Sequence, residues 1–523
     1  METTTAANSS DNGRPLLLGY TISGALAILA LISLGLYSII TTLKQYLRLR
    51  HIPGPPLAPF TRLWLARSET GGRLYKDVYE VNQKYGPIAR IGPNELVTDD
   101  PYLIRHMTNV RSEYRRSEWY YGMRFDPTKD NVLSTRDEVA HNKLRAKMAA
   151  GYSGKEVDNL EPIIDRNLLS LISLLEERYI AKKKPFDFAR KAQFFTLDAI
   201  SDLSYGRPFG YLANDEDMFS YIGMTEAQLP TIMLTSVYPI LVDLLSSPLL
   251  NRLVPSDKDL LGLGRITGIV KKIVAERFEP NPNLDKKTRR DMLASFIAHG
   301  LTQDEAESEV IMQIMAGSDT TATAIRATML HVITNPRILG KIHGELAQNE
   351  YTATSPPRDR IISSEESARR LPYMQAVIKE GLRIHPPVPA LTSKVVPPGG
   401  DTWGGVYLPA GTKVGCAGLG VMRNPRIWGD NAAEFRPERW IEVVERGDKD
   451  KLREMEATLD LAFSSGRWLC LGRNVAFMEL NKIFVELLRR FDFVVMDPTN
   501  PWKSTHAGIF TQSDFWLKGY KRA

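Results

Sequence analysis

From Leu16 to Leu43 the chain carries 28 consecutive residues without a charge, LLLGYTISGALAILALISLGLYSIITTL. A helix rising about 1.5 Å per residue needs about 20 such residues to cross the hydrocarbon layer of a bilayer, so the run reads as a membrane-spanning anchor. A cleaved signal peptide would combine a cationic start with an apolar core of about 7–15 residues. Here the start carries Glu2, Asp11 and Arg14, and the core is too long. Lys44, Arg48 and Arg50 follow directly, which places the remainder of the chain in the cytosol and the short tail in the lumen. The tail holds a glycosylation sequon, Asn8-Ser9-Ser10, close to the membrane. Next, HIPGPPLAP (51–59) stops the helix and favours a stiff, extended connector that holds a globular body at a fixed angle to the bilayer. The expected organisation is residues 1–50 as tail, anchor and basic flank, and 51–523 as one large domain.

That body reads as mainly helical. LYKDVYEVNQKYG (74–86) has helical spacing, and helical patterns recur over about 158–180, 191–205, 255–278, 290–299, 302–335, 371–384 and 474–490. PIARIGPNELVTDD (87–100) reads as two short strands around a turn at Gly92-Pro93, and the proline-, glycine- and valine-rich stretch 385–420 as short strands and turns. The segment 229–250 is apolar but broken by prolines. It reads either as a buried core helix or as a lid or channel segment that dips into the membrane interface. GLGRITG (262–268) resembles a dinucleotide fingerprint, but its last glycine is one position late and a helical pattern precedes it, so no nicotinamide or flavin fold is expected. With 67 basic against 61 acidic residues spread along the chain and no basic block, nucleic-acid binding is not expected.

Only two cysteines occur, Cys416 and Cys470, which excludes a disulfide framework. Cys416 lies in strand-like TKVGCAG and reads as a packing residue. Cys470 lies in FSSGRWLCLGRN (463–474), between glycines and just ahead of a helix. Backbone N–H donors, a helix N-terminus and nearby cations are what a thiolate needs. Upstream, Thr302-Gln303-Asp304-Glu305 opens the longest helical pattern with a capping-box sequence, giving about 50 Å of helix before Pro336. In its middle, AGSDTT (316–321) is poor helix material, because Ser, Asp and Thr compete for backbone hydrogen bonds. It reads as a tolerated kink or as a local opening where a small ligand meets a hydroxyl and an acid. Glu380 and Arg383 are neighbours on one helix face, and FRPERW (435–440) adds Arg439.

The order of these motifs resembles that of the cytochrome P450 superfamily over nearly the whole chain, closest to microsomal members of fungal secondary metabolism. The resemblance implies the P450 fold, mainly α with a minor β-sheet, behind an N-terminal transmembrane helix. It implies haem b with Cys470 as axial thiolate and metal ligand, and Glu380, Arg383 and Arg439 as a buried structural triad. Asp319 and Thr320 match the oxygen-activation pair, with Gly317 beside them on the distal helix. Arg145 and His141, in HNKLRAK, match the helix whose arginine binds a haem propionate; His141 stands where tryptophan is common. Phe463, Gly466, Trp468 and Gly472 match the cysteine loop, whose glycines are expected to let the backbone approach the porphyrin and to permit turn geometries closed to other residues.

One departure stands inside that loop. Family members usually carry arginine, or sometimes histidine, two residues before the cysteine, paired with a propionate; here Trp468 holds that place and Arg467 precedes it. A tryptophan carries no charge, so Arg145 and Lys394 are expected to neutralise the propionates, and Arg467 to face outward. The activity implied is insertion of one atom of O2 into an apolar small molecule at the endoplasmic-reticulum membrane. Electrons would come from NADPH through a separate cytochrome P450 reductase, with cytochrome b5 as a further partner. Arg467, Arg473 and Lys482 are expected to add positive charge to the reductase side. The loop after Arg111, segment 229–250, the helix wall before Thr320, Val388–Leu391 and Ala507–Phe510 would enclose the lipophilic substrate. Two alternatives are a haem-thiolate isomerase or dehydratase, which the Asp319-Thr320 pair disfavours, and a haem sensor or electron carrier, for which a long distal helix has little purpose.

Overall fold

The computed structural model describes residues 14–522 except 155, 158, 159, 251, 253, 280–290, 356 and 358, with side chains from residue 28 onward. Glu2, Asp11 and the sequon at Asn8 lie outside the described residues. The first helix, α1 (Arg14–Leu49), contains an apolar span, Ile28–Leu49, with a mean hydropathy of 1.5. Residues 28–40 are all exposed, so no protein core covers them and the span is a candidate membrane anchor. Its C-terminal end enters the protein instead. Leu49 is buried, Arg48 donates to the Ala410 carbonyl (3.1 Å) and to Asn94, and Tyr46 stacks on Phe60 at 5.3 Å.

The proline connector is docked along its length. The Pro53 carbonyl accepts from the Arg90 backbone N–H at 2.8 Å. The buried Arg90 guanidinium donates to the carbonyls of Gln45 (3.2 Å), Gly92 (3.1 Å) and Pro93 (2.6 Å). Gly54 must be glycine because a Cβ there would overlap the Arg90 carbonyl. Arg90, which sequence reading did not single out, therefore clamps the end of α1 to the sheet.

Strands β1 (Ile88–Arg90) and β2 (Glu95–Thr98) pair antiparallel around Gly92-Pro93 as expected. They join β3 (Arg115–Arg116), β4 (Lys394–Val395) and β5 (Lys413–Cys416) in a sheet of order β1-β2-β5-β4-β3, with β2 and β5 parallel. Helices dominate the rest: α2 (Glu138–Ser153), α3 (Phe188–Tyr205), α4 (Tyr221–Val237), α5 (Gln303–Ile333), α6 (Pro372–Ile384) and α7 (Arg473–Arg490) carry the site. Thr302 and Glu305 close the expected capping box on α5, and Asn335 caps the next helix through Ile338 N–H. Helix α3 starts three residues early because the Asp187 carboxylate caps it, accepting from Ala189 N–H at 2.9 Å. The helix expected over 255–278 starts only at Gly262, because Ser256 N–H bonds the Asp259 carboxylate in a turn. The pattern over 158–180 resolves into Leu160–Leu174 and a wider turn, Leu175–Ile180.

The first half of segment 229–250 is the core helix of the first reading, and the second half leaves the core. Leu229, Met233 and Val237 of α4 are buried, whereas past Pro239 the short helix Ile240–Leu245 and the turn after it expose Ile240, Leu244 and Leu249. The hairpin β6 (Lys503–Ala507) and β7 (Ile509–Ser513) packs against α4 and α5.

Behind α6 lies a buried ionic network. The Arg383 guanidinium donates to Glu380 (2.7 and 2.9 Å) and to the carbonyls of Met422, Ala432 and Glu434. Arg439 donates to Glu380 (2.9 Å) and to the Trp428 and Asn431 carbonyls, while Trp440 Nε1 and Arg436 N–H complete the carboxylate's shell. Removing one partner of a buried pair costs about 3–5 kcal/mol, because the remaining charge is stranded. Glu380→Ala is therefore expected to lose stability on that scale, measured as a lower unfolding midpoint of the detergent-solubilised protein. Arg383→Lys is expected to fail similarly, since an ammonium cannot serve five acceptors in a fork.

Candidate active site

Cys470 is held by its own loop. Its backbone N–H donates to the Phe463 carbonyl at 2.8 Å, and Ser464 adopts φ 62° to make the turn. Gly472 caps α7, and the N–H groups of Gly472 and Arg473 aim at the sulfur. Burial pushes the thiol's pKa up, and those two N–H groups and the Arg145 and Arg473 guanidiniums pull it down. Cations and a helix N-terminus thus face the sulfur as expected, but desolvation outweighs them. The side chain remains accessible deep within the protein. Cys416, in β5, has its thiol raised to about 12 by burial, with Asp99 adding to the shift.

At Gly466 the expected turn geometry closed to other residues is present, and it is joined by a close approach within the protein. Gly466 adopts φ 59°, and a Cβ there would overlap the Thr108 carbonyl at the end of the short helix Pro101–Thr108. Contact with that helix, within the protein itself, demands the glycine. Gly472, at φ −79°, would meet only ordinary contacts with Cys470 and Tyr152 at 3.9 Å. Phe463 packs on Phe477 at 5.4 Å.

Around Trp468 the fold gathers two cations and an imidazole from three distant segments. Trp468 is buried, with the Arg116 guanidinium 4.1 Å and the Lys394 ammonium 4.5 Å from its ring, and the His141 imidazole 4.5 Å away. Lys394 also donates to Tyr120 Oη at 3.0 Å. Arg116, on β3, donates to the Val132 (2.8 Å) and Thr135 (2.9 Å) carbonyls. Burial lowers Arg116 to about 10 and Lys394 well below its ordinary value. His141 falls to about 3 through burial and through Arg116, Arg145 and Lys394, so its imidazole is neutral at physiological pH. Among the described residues no carboxylate lies within ion-pair distance of Arg116, Arg145 or Lys394. Arg116 was missed in the sequence, where it is one arginine of an ordinary YRRSEW run.

Two expected surface cations are not at the surface. Arg467 pairs with Glu138 and donates to the Val110 and Ser112 carbonyls, its side chain only 14% exposed. Lys482 is fully buried between Glu161 and Asp165, both at 2.6 Å. Arg473 is the one of the three that remains partly exposed, paired with Asp460 at 2.7 Å.

Across the site, α5 runs unbroken through AGSDTT. Thr320 Oγ1 donates back to the Ala316 carbonyl at 2.7 Å, which satisfies the hydroxyl without a kink. Gly317 faces α3, where a Cβ would fall 2.8 Å from Ile200, so its bareness lets the two helices close. The Asp319 carboxyl also turns to α3, accepting from Gln193 Nε2 at 2.6 Å, so Asp319 and Thr320 are not bonded to each other. Burial raises Asp319 to about 6. Gln193 and Arg326, which bonds Gln193 Oε1 at 2.9 Å, left no motif to find.

An apolar cluster distinct from the main core joins Trp119, Tyr120, Leu229, Met233, Val237, Leu391 and Ala507. These come from four of the five segments expected around a substrate. Beside them a narrow cavity of about 20 Å³ is lined by Trp119, Val237, Leu391, Glu95, Glu118 and Lys413. Arg62 ties its rim, bonding Glu95 at 2.8 Å and the Val237 carbonyl at 3.2 Å.

A cytochrome P450 family model matches residues 52–515. The chain belongs to the cytochrome P450 family. It is 42% identical to cytochrome P450 monooxygenase ABA1 of Pyricularia oryzae, over 97% of this chain and 98% of the relative. It is 39% identical to cytochrome P450 monooxygenase aba1 of Botryotinia fuckeliana, over 90% and 91%. With cytochrome P450 monooxygenase mpaDE' of Penicillium brevicompactum it shares 30% identity over 92% of this chain and 56% of that longer protein. Membership makes the chain an oxidoreductase with a haem-thiolate cofactor. The residues present fit that group: an accessible sulfur faces N–H donors, and the buried Arg116 and Lys394 and the half-buried Arg145, none with a carboxylate partner among the described residues, match its propionates. Arg116→Ala and Arg145→Ala are each expected to speed haem loss about tenfold, the scale of one charge-assisted hydrogen bond, measured by transfer to excess apomyoglobin.

Proposed function

We propose that this protein is a monooxygenase of the endoplasmic-reticulum membrane that acts in fungal secondary metabolism. It inserts one oxygen atom of O2 into an apolar small molecule and reduces the other to water, with electrons from NADPH through a separate reductase and with cytochrome b5 as a further donor. The observation that carries this reading is the accessible Cys470 sulfur at the head of α7, flanked by buried, unpaired cations. When bound, the haem supplies oxygen activation, with thiolate electron density favouring O–O cleavage. The chain's own residues supply the rest. The cluster of Trp119, Leu229, Met233 and Ala507 excludes water and orients a lipophilic substrate. Thr320 Oγ1 and the Asp319 carboxyl hold the protons that the reaction consumes.

Reduced protein with carbon monoxide is expected to show the red-shifted Soret band of thiolate ligation. Cys470→Ala should abolish the band and Cys416→Ala should keep it; the opposite pattern would reassign the ligand. Thr320→Ala is expected to retain haem and consume NADPH while releasing severalfold more hydrogen peroxide per product, assayed together in reconstituted membranes. Unchanged coupling would remove Thr320 from proton delivery.

A further inference from the structure

Gln193 is buried on α3 and touches three charged side chains at once. Its Oε1 accepts from the Arg326 guanidinium at 2.9 Å and from Arg190 at 3.3 Å. Arg190 is in turn clamped by Glu226 of α4 in a bidentate pair at 2.7 and 2.8 Å. Guanidiniums only donate, so the oxygen of the Gln193 amide must face them and its NH2 group must face Asp319. At 2.6 Å from Asp319 Oδ1, that NH2 requires a lone pair there. A protonated carboxyl oxygen is a far weaker acceptor than an ionised one, so a proton on Asp319 is favoured on Oδ2, beside the Ser318 hydroxyl at 3.4 Å.

We propose that Gln193 is a positioning residue for proton delivery: it pins Asp319 Oδ1 in the ionised geometry, so that Oδ2 alone loads and releases the proton. This rests on the monooxygenase reading above. Nothing about the reaction's atom balance changes; Gln193 keeps all its protons, and the proton that moves is taken up from water and given up at Oδ2. The groups facing Asp319 are Gln193 and Arg190 from α3, Glu226 and Tyr221 from α4, and Ser318 and Arg326 from α5. Burial raises Asp319 to about 6, with Arg326 opposing and Glu226 adding to the shift. Gln193 sits between those two charges, and its donated hydrogen bond favours the carboxylate.

The test uses the full-length, haem-loaded protein in lipid nanodiscs. The infrared carbonyl band of protonated Asp319, identified by its disappearance in Asp319→Asn, is followed against pH, alongside product formed per NADPH. Gln193→Met removes the donor at similar volume and should move the Asp319 midpoint upward by about one pH unit, the scale of one hydrogen bond to a charged group. Gln193→Glu is nearly isosteric and keeps its partners Arg326 and Arg190, so it remains informative if the methionine variant fails to fold. The new carboxylate presents an acceptor to Oδ1, draws the proton onto that oxygen, and should raise the midpoint while lowering coupling severalfold. A merely structural glutamine would leave both readouts where they were. A midpoint unmoved in folded Gln193→Glu, or full coupling despite a raised midpoint, overturns the proposal. If Asp319→Asn and Thr320→Ala both couple normally, the proton-delivery reading fails instead, and the infrared midpoint still reports on Gln193's hold on Oδ1.

Discussion

The Glu380 carboxylate carries more of this structure than any other single group. It is fully buried and receives two guanidiniums, an indole N–H and a backbone N–H. The same two guanidiniums reach five backbone carbonyls between Met422 and Glu434. Those carbonyls belong to a stretch with little regular structure, whose acceptors would otherwise be unsatisfied in the interior. One helix face, α6, thereby fixes an irregular segment two helices upstream of the cysteine loop. Burying such a network costs desolvation, and its return is a unique geometry for a segment that no ladder of backbone bonds could hold.

A second constraint works by incompletion. Buried charges normally occur in pairs, and most here do: Lys482 with Asp165, Arg467 with Glu138, Lys413 with Glu95. Arg116 and Lys394 break that pattern around Trp468, held by carbonyls, a phenol and an indole ring in place of carboxylates. The tryptophan at the position where family members usually place arginine is thus accommodated by charge arriving from β3 and β4. Its ring supplies a negative face for those cations to lie on, and the anionic edge of a haem is the partner that would balance them.

The distal side shows why neighbours in sequence need not act as neighbours in space. Asp319 and Thr320 are adjacent on α5, but successive residues of a helix point about 100° apart. Asp319 turns to Gln193 across the interface with α3, and Thr320 turns back on its own helix. Gly317, on the same turn, lets Ile200 of α3 pass close to α5.

What the amino-acid sequence determined by itself was whatever depends on local chemistry or on unbroken runs. The helix over the 28 uncharged residues, the capping box at Thr302 and the strand turn at Gly92-Pro93 each require only nearby residues, and each appears where expected. The order of the AGSDTT, Glu380-Arg383, FRPERW and Cys470 motifs was enough to name the family, because those spacings survive in the chain itself. Tertiary structure alone decided which charges meet. Arg116 and Lys394 are separated by most of the chain yet face one indole, and Gln193 and Arg326 converge on Asp319 from two helices. It also overturned the outward reading of Arg467 and Lys482, because burial depends on what packs over a side chain. A charged residue looks alike in sequence whether water or a partner surrounds it; only the packing of distant segments supplies the difference, and with it the electrostatics of the site.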